Sequence, residues 1–183
     1  KLRHICVFSI KKLMKSKGNI VFLGMMGSGK TSIGELVSKR LNLNFFDIDQ
    51  HIENESKMKI PEIFSSKGEN FFRKLEEKKT LDLLKKKYAV ISLGGGAFLN
   101  QNIRDEVLNN HLSFWLNVSS EVIINRIKNS SKRPIAIQST EIELEDLIKK
   151  RSNIYSKAMY KVNCDGLTKN EIVNKIIDIY ETN

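Results

Sequence analysis

The sequence predicts an α/β protein: a three-layer α/β/α arrangement on a five-stranded parallel sheet. Three observations lead there. Short apolar runs alternate along the chain with longer segments of helical periodicity, which is the order of βα units. Several of these runs are continuously apolar, so strands covered on both faces are expected. The first run also leads directly into Gly24-Met25-Met26-Gly27-Ser28-Gly29-Lys30-Thr31 and then into a helical pattern. This is a complete G-x-x-x-x-G-K-[ST] loop. In such a strand–loop–helix context, backbone N–H groups and a helix N-terminus surround a phosphate chain.

Each element has its own justification. Ile20-Val21-Phe22-Leu23 reads as a buried strand, and Ile33, Leu36, Val37 and Leu41 give the next helix its apolar stripe. Phe45 to Ile48 is a short β-prone second strand, followed by a helix from Asp49 to about Lys57. Pro61 suits the first turn of a short helix that runs to Ser66 and is stopped by Gly68. Glu69 to Lys87 is a long charged helix with Phe72, Leu75, Leu81 and Leu84 on one side. Tyr88 to Leu93 forms the third strand and ends in Gly94-Gly95-Gly96. A helix from Asn100 to Leu108 precedes a fourth strand within His111 to Val118. Ser119 is placed to cap a helix running to about Ile127. Lys128 to Thr140 is polar and irregular, Glu141 to about Lys157 is helical, and Ala158 to Asn163 holds the fifth strand. Thr168 opens the last helix, with Glu171 at capping-box spacing.

At 183 residues the chain suits one domain with a sizeable core. Residues 18–183 are expected to form it. Residues 1–17 are basic, and they are expected to be an extension outside the core fold. No stretch has the roughly 20 consecutive apolar residues of a membrane span, so no membrane association is expected. Cys6 and Cys164 belong to no motif; they read as free thiols in a reducing compartment, in keeping with a cytoplasmic protein. The net charge of +10 raises the question of nucleic acid. The excess, however, is lysine spread along solvated helix faces, without interleaved aromatic residues to stack on bases. A basic surface of this kind instead steers small anions. There are 24 lysines and only seven arginines. Arginine in such a chain marks places that need a planar, bidentate donor. Arg3, Arg40 and Arg104 fit ordinary surface positions; Arg73, Arg126, Arg133 and Arg151 do not.

The chemistry-bearing residues follow strands, where ligands bind in open parallel sheets. In the phosphate loop, Lys30 reaches the β- and γ-phosphates, and the Thr31 hydroxyl is suited to Mg²⁺. Asp47-Ile48-Asp49 ends the second strand. With a period of two, both carboxylates are expected on one side, one toward the metal through water and one toward a substrate hydroxyl. The alternative is a plain strand-to-helix turn with Asp49 as N-cap. The triple glycine lets a ligand approach the backbone, unless it is only a flexible loop. Arg73 and Glu76 share a helix face: either a surface pair, or an arginine braced by a carboxylate while it holds an anion. Arg133-Pro134 lies in the irregular segment, as on a lid that closes over a transferred phosphoryl group. Arg151 precedes Tyr155 by one helical turn.

Taken together, the phosphate loop, D-I-D, F-R-x-x-E, a strand ending in G-G-G, R-P in a lid and R-x-x-x-Y resemble the shikimate kinase family in order and spacing, from about Gly18 to the C-terminus. The resemblance implies a nucleoside-monophosphate-kinase-like fold, with a substrate-binding segment at about 48–80 and a lid at about 128–140. It implies transfer of the γ-phosphoryl group of ATP to the 3-hydroxyl of shikimate, on the way to chorismate and aromatic amino acids, by a chain expected to act as a monomer. Carried onto this sequence, Asp49 binds the shikimate hydroxyls and serves as base. Arg73 and Arg151 hold the substrate carboxylate, Gly95 offers a backbone N–H and Glu76 braces Arg73. ATP is implied to lie on Gly27, Ser28, Gly29, Lys30, Thr31, Ser32, Arg126 and Arg133, with Arg126 on the adenine and Lys30 and Arg133 on the moving phosphoryl group. Thr31, and Asp47 through water, are implied for Mg²⁺. Asn163-Cys164-Asp165-Gly166 lacks the proline often found in the family's adenine-binding stretch, which leaves base contacts open there. The other readings are a kinase resembling gluconate kinase, which should lack the paired arginines with D-x-D and G-G-G; a catalytically silent ligand-binding relative; and nucleic-acid binding through the lysine surface.

Overall fold

The structure, a computed structural model, describes residues 18–128 and 140–182. The expectations for 1–17, Cys6, Arg133, Pro134 and most of the lid fall outside these residues. Five strands form one parallel sheet in the order β2-β3-β1-β4-β5. They are β1 (Ile20–Leu23), β2 (Asn44–Asp47), β3 (Ala89–Ser92), β4 (Leu112–Asn117) and β5 (Tyr160–Asn163). The helices are α1 (Lys30–Leu41), α2 (Ile48–Ser56), α3 (Ile60–Leu84), α4 (Gln101–Asn110), α5 (Ser120–Lys128), α6 (Glu141–Tyr155) and α7 (Lys169–Thr182). A short 3-10 turn, Ala97–Leu99, follows β3. The predicted fold class holds.

Burial follows position in the sheet. The inner strands β1 and β3 are buried at every residue, and β4 at all but its last. The edge strands β2 and β5 are largely half-buried or exposed, because each has a neighbour on one side only. β1 sits at the centre, paired with β3 through Ile20–Val90 and with β4 through Ile20–Leu112. Both inner pairings are in register, so their carboxyl ends form one rim. At the opposite rim, buried Asn19 ties the start of β1 to its neighbours. Its side chain donates to the carbonyls of Leu84 and Lys86 and accepts from Ala89 N–H.

Local chemistry explains the element ends. Gly29 stands before α1 at φ 93, a left-handed conformation that glycine adopts at little cost. Thr140 with Glu143, and Thr168 with Glu171, form the reciprocal caps that start α6 and α7. Ser119 lies one residue before α5, but its hydroxyl turns to Asp165 at 3.3 Å rather than capping the helix. Asp165 also accepts from Ser119 N–H, joining the β4–α5 and β5–α7 turns.

The helix that starts at Ile60 is interrupted at Gly68, whose φ 79 and ψ 166 are non-helical, and a second helical stretch continues to Leu84; the break expected at Gly68 is present, and α3 denotes the two stretches together. One expectation is corrected: Asp47 and Asp49 do not share one side of a strand end. β2 stops at Asp47 and α2 begins at Ile48, so Asp49 lies in the first helical turn. The capping residue is Asp47, not Asp49: its Oδ1 accepts from Gln50 N–H at 3.1 Å.

Candidate active site

The rim at the carboxyl ends of β1, β2 and β3 gathers the residues singled out in the sequence. The phosphate loop leaves β1 and turns back on itself, with Ser28 N–H donating to the Met25 carbonyl at 3.1 Å. Lys30, buried at the start of α1, donates to the carbonyls of Gly24 and Met25, both at 2.9 Å. Its ammonium is therefore held against the loop. Ser28 Oγ is buried with no hydrogen-bond partner among the described residues. Gly27, Gly29, Thr31 and Ser32 continue the loop into the first turn of α1, each partly accessible. Arg126, exposed on α5, donates to the Gly27 carbonyl at 2.8 Å, which lays its side chain beside the loop.

Asp47 is the link between this loop and β2. While Oδ1 caps α2, Oδ2 accepts from Thr31 Oγ1 at 2.6 Å. A hydroxyl and a carboxylate in contact at the base of a phosphate loop fit Mg²⁺, which takes oxygen ligands and is usually held by one or two protein groups together with phosphates and water. Among the described residues no cluster of three or more His, Cys, Asp or Glu could hold a metal ion. A metal held by Thr31 and Asp47 would take its remaining ligands from phosphates and water.

The second half of the site is organised by the triple glycine, whose first and last members have no room for a Cβ while the middle one would make only ordinary contacts. A Cβ added to Gly94 would lie 2.6 Å from both Asp49 Oδ1 and Glu76 Oε1. One on Gly96 would lie 2.4 Å from Arg73 Nη1, and one on Gly95 would lie 3.5 Å from Met26 N and 3.6 Å from Arg151 Nη1. The close approach foreseen for a ligand is thus made first by the protein's own charged side chains. Asp49, Arg73, Glu76 and Arg151, from three helices, converge on this one turn beside the phosphate loop.

Arg73 is held on several sides. It donates to Glu76 at 2.7 Å and to Glu69 at 3.2 Å, and it lies over the rings of Phe72 and Phe64, 5.2 and 5.7 Å from their centroids. Glu76 is 3% exposed, so this pair is a buried brace and not a surface ion pair. Burial pushes the Glu76 carboxyl above the usual carboxylate range, against the pull of Arg73 and then Arg151. Burial also works against the Arg73 charge, but Glu76 and Glu69 outweigh it and hold the guanidinium above its ordinary value.

Some members of the site were not foreseen. Met25 is 4% exposed, and its sulfur lies 3.8 Å from Arg151 Nη1 and 3.9 Å from Tyr155 Oη. A soft thioether fits an irregular gap between a cation and a phenol. Arg104, read as an ordinary surface residue, donates to the carbonyls of Phe98 and Leu99 and closes the 3-10 turn after the glycines. Tyr155 donates to the Gly95 carbonyl. Its position four residues after Arg151 was the available signal, since such pairs share a helix face.

Burial pushes the Tyr155 phenol up to about 12 from an ordinary 10.0, with Arg151 opposing. The folded chain thus holds this proton more tightly than the unfolded chain. The associated stability is full below pH 10 and is lost as pH rises through about 12. The difference in phenolate absorbance between wild type and Tyr155→Phe is expected to have its midpoint near 12. A midpoint at the ordinary value would mean that the ring is solvated.

The shikimate kinase family model matches residues 26–181. A shikimate kinase of Thermodesulfovibrio yellowstonii is 40% identical over 164 residues, covering 89% of this chain and 95% of its own. That of Bacillus subtilis is 43% identical over 162 residues, 87% of each chain. The crystal structure of an Acinetobacter baumannii shikimate kinase in complex with shikimate superposes with a TM-score of 0.86 at 28% identity, covering 94% of this chain and 97% of that one. With the family matched across almost all of the described fold, the chain belongs to the shikimate kinase family.

Proposed function

We propose that this chain transfers the γ-phosphoryl group of ATP to the 3-hydroxyl of shikimate, yielding shikimate 3-phosphate and ADP, in the cytoplasm and as a monomer. The observation that carries the reading is the convergence of Asp49, Arg73, Glu76 and Arg151 on Gly94-Gly95-Gly96, next to the phosphate loop. A small acid with several hydroxyls needs cationic donors for its carboxylate and an acceptor for a hydroxyl proton. These residues supply both, within reach of a nucleotide.

In this reading Arg73 and Arg151 bind the carboxylate, and Gly95 N–H adds a donor. Glu76 keeps Arg73 in place. Asp49 orients the 3-hydroxyl and accepts its proton as the oxygen attacks the γ-phosphorus and ADP leaves. Lys30 and Arg133 stabilise charge on the moving phosphoryl group; Gly27, Ser28, Gly29, Thr31 and Ser32 bind the phosphates, and Arg126 packs on the adenine. Thr31, with Asp47 through water, would hold Mg²⁺, which when bound neutralises the phosphates. Both substrates are anions, and the net charge of +10 favours their encounter. The residues before position 18 are proposed to lie outside this unit. Among the described residues no helix is long and apolar enough to cross a membrane.

The test is ADP release in a coupled assay, with and without shikimate. A shikimate-dependent signal is expected. ADP release indifferent to shikimate, with gluconate stimulating it instead, would overturn the assignment.

A further inference from the structure

Two donors compete for one carbonyl at the centre of the site. Tyr155 Oη lies 2.5 Å from Gly95 O, while Arg151 Nη1 lies 3.4 Å from the same atom. The phenol therefore makes the stronger contact, and the guanidinium only grazes it. Arg151 Nε is buried and has no hydrogen-bond partner among the described residues. Below both side chains lies Met25 Sδ, a weak acceptor that cannot hold a guanidinium firmly. Arg151 is thus a half-buried cation whose neighbours on this side leave much of its donor capacity unused.

We propose that Tyr155 is a positioning residue for the acceptor substrate: its O–H occupies the Gly95 carbonyl, which fixes the glycine turn and keeps Arg151 available to the substrate carboxylate. The inference rests on the proposed function above. Two physical effects support it. Three consecutive glycines have wide conformational freedom, and pinning the middle carbonyl restricts the torsions on both sides of that peptide. A half-buried carbonyl turned away from solvent also favours a protein donor. Without the phenol, the nearest donor is Arg151 Nη1, and a charge-assisted bond to Gly95 would draw the guanidinium away from the substrate. Tyr155 can fill this role because its ring is 1% exposed and packs beside Trp115, with ring centroids 6.2 Å apart. Its phenol keeps its proton at any pH where the enzyme would be assayed.

The experiment is steady-state kinetics on wild type, Tyr155→Phe, Met25→Leu and the control Tyr180→Phe. Tyr180 is a second buried tyrosine, remote on α7, whose hydroxyl has no partner among the described residues. In Tyr155→Phe the KM for shikimate is expected to rise about tenfold, with the KM for ATP and kcat within about threefold of wild type. Met25→Leu, which removes the sulfur but keeps the volume, should raise the same KM about threefold. Tyr180→Phe should change neither KM. An unchanged KM for shikimate in both site variants overturns the inference. So does a parallel rise in both KM values, which would mean general loosening of the fold. A wild type without shikimate-dependent turnover fails the proposed function itself, and this inference with it; an active wild type with an unchanged Tyr155→Phe fails the inference alone.

Discussion

Asp49→Asn is expected to lower kcat for shikimate phosphorylation by about 10² to 10⁴, the usual contribution of a positioned general base. The affinity for ADP should stay close to wild type. Asparagine keeps the size and one acceptor oxygen, so the change tests proton acceptance rather than packing. Asp49 sits in the first turn of α2, away from the Asp47–Thr31 contact that faces the phosphate loop. That separation is why the two aspartates should behave differently. Calorimetric titration of ADP alongside the coupled assay checks both halves. Equal turnover in Asp49→Asn and wild type would remove Asp49 from the chemistry.

Gly94→Ala is expected to be nearly as damaging, although it adds a single methyl group. The backbone at Gly94 has no left-handed torsion, so the cost is contact alone. The new Cβ would lie 2.6 Å from the carboxylates of both Asp49 and Glu76. One or both must move. Displacement by about 1 Å of a group that orients a reacting atom costs on the order of 10² in rate. A shift of Glu76 also disturbs the brace on Arg73. We expect kcat/KM for shikimate to fall by at least about 10² and stability by about 1–3 kcal/mol from overpacking, with nucleotide affinity retained. Kinetics, thermal unfolding and ADP titration separate these terms. Wild-type kinetics in Gly94→Ala would mean that the turn yields without moving the carboxylates.

Much of the fold was legible because its signals are local. A continuously apolar run reads as a buried strand wherever it occurs, and Ile20-Val21-Phe22-Leu23 is completely buried at the sheet centre. The phosphate loop was legible for the same reason, since its strand, glycines, lysine and threonine are contiguous. Where one residue decides a boundary, the reading slipped. Asp47 and Asp49 are equally good caps in sequence, and only the sheet register, which pairs Asp47 with Ser92, sets where β2 ends. Gly68, a helix stop by propensity, does break the helix, because its φ 79 and ψ 166 lie outside the helical region.

The family was legible in the order and spacing of the motifs, but the architecture of the candidate site was not. Gly95 meets Tyr155 across 60 positions of sequence, and Met25 meets it across 130. No spacing rule reaches that far. A run of three glycines reads as flexibility; that Gly94 makes room for Asp49 and Glu76 and Gly96 for Arg73 depends on two helices arriving at one turn.

The strand order carries a last consequence. From β1 the chain first travels outward to β2 and returns through β3, then crosses to β4 and β5. Asp49, Arg73, Glu76 and the glycine turn all belong to the first excursion, while Arg126 and the Cys164–Gly166 loop belong to the second. On the proposed assignment of roles, the part of the protein that would distinguish one phosphate acceptor from another is a single uninterrupted cassette, residues 44–96. Arg151 and Tyr155 are the stitches from the far side. Such a layout can exchange its acceptor by rewriting one stretch of chain and retuning two residues, while the machinery that handles the nucleotide is left as it stands.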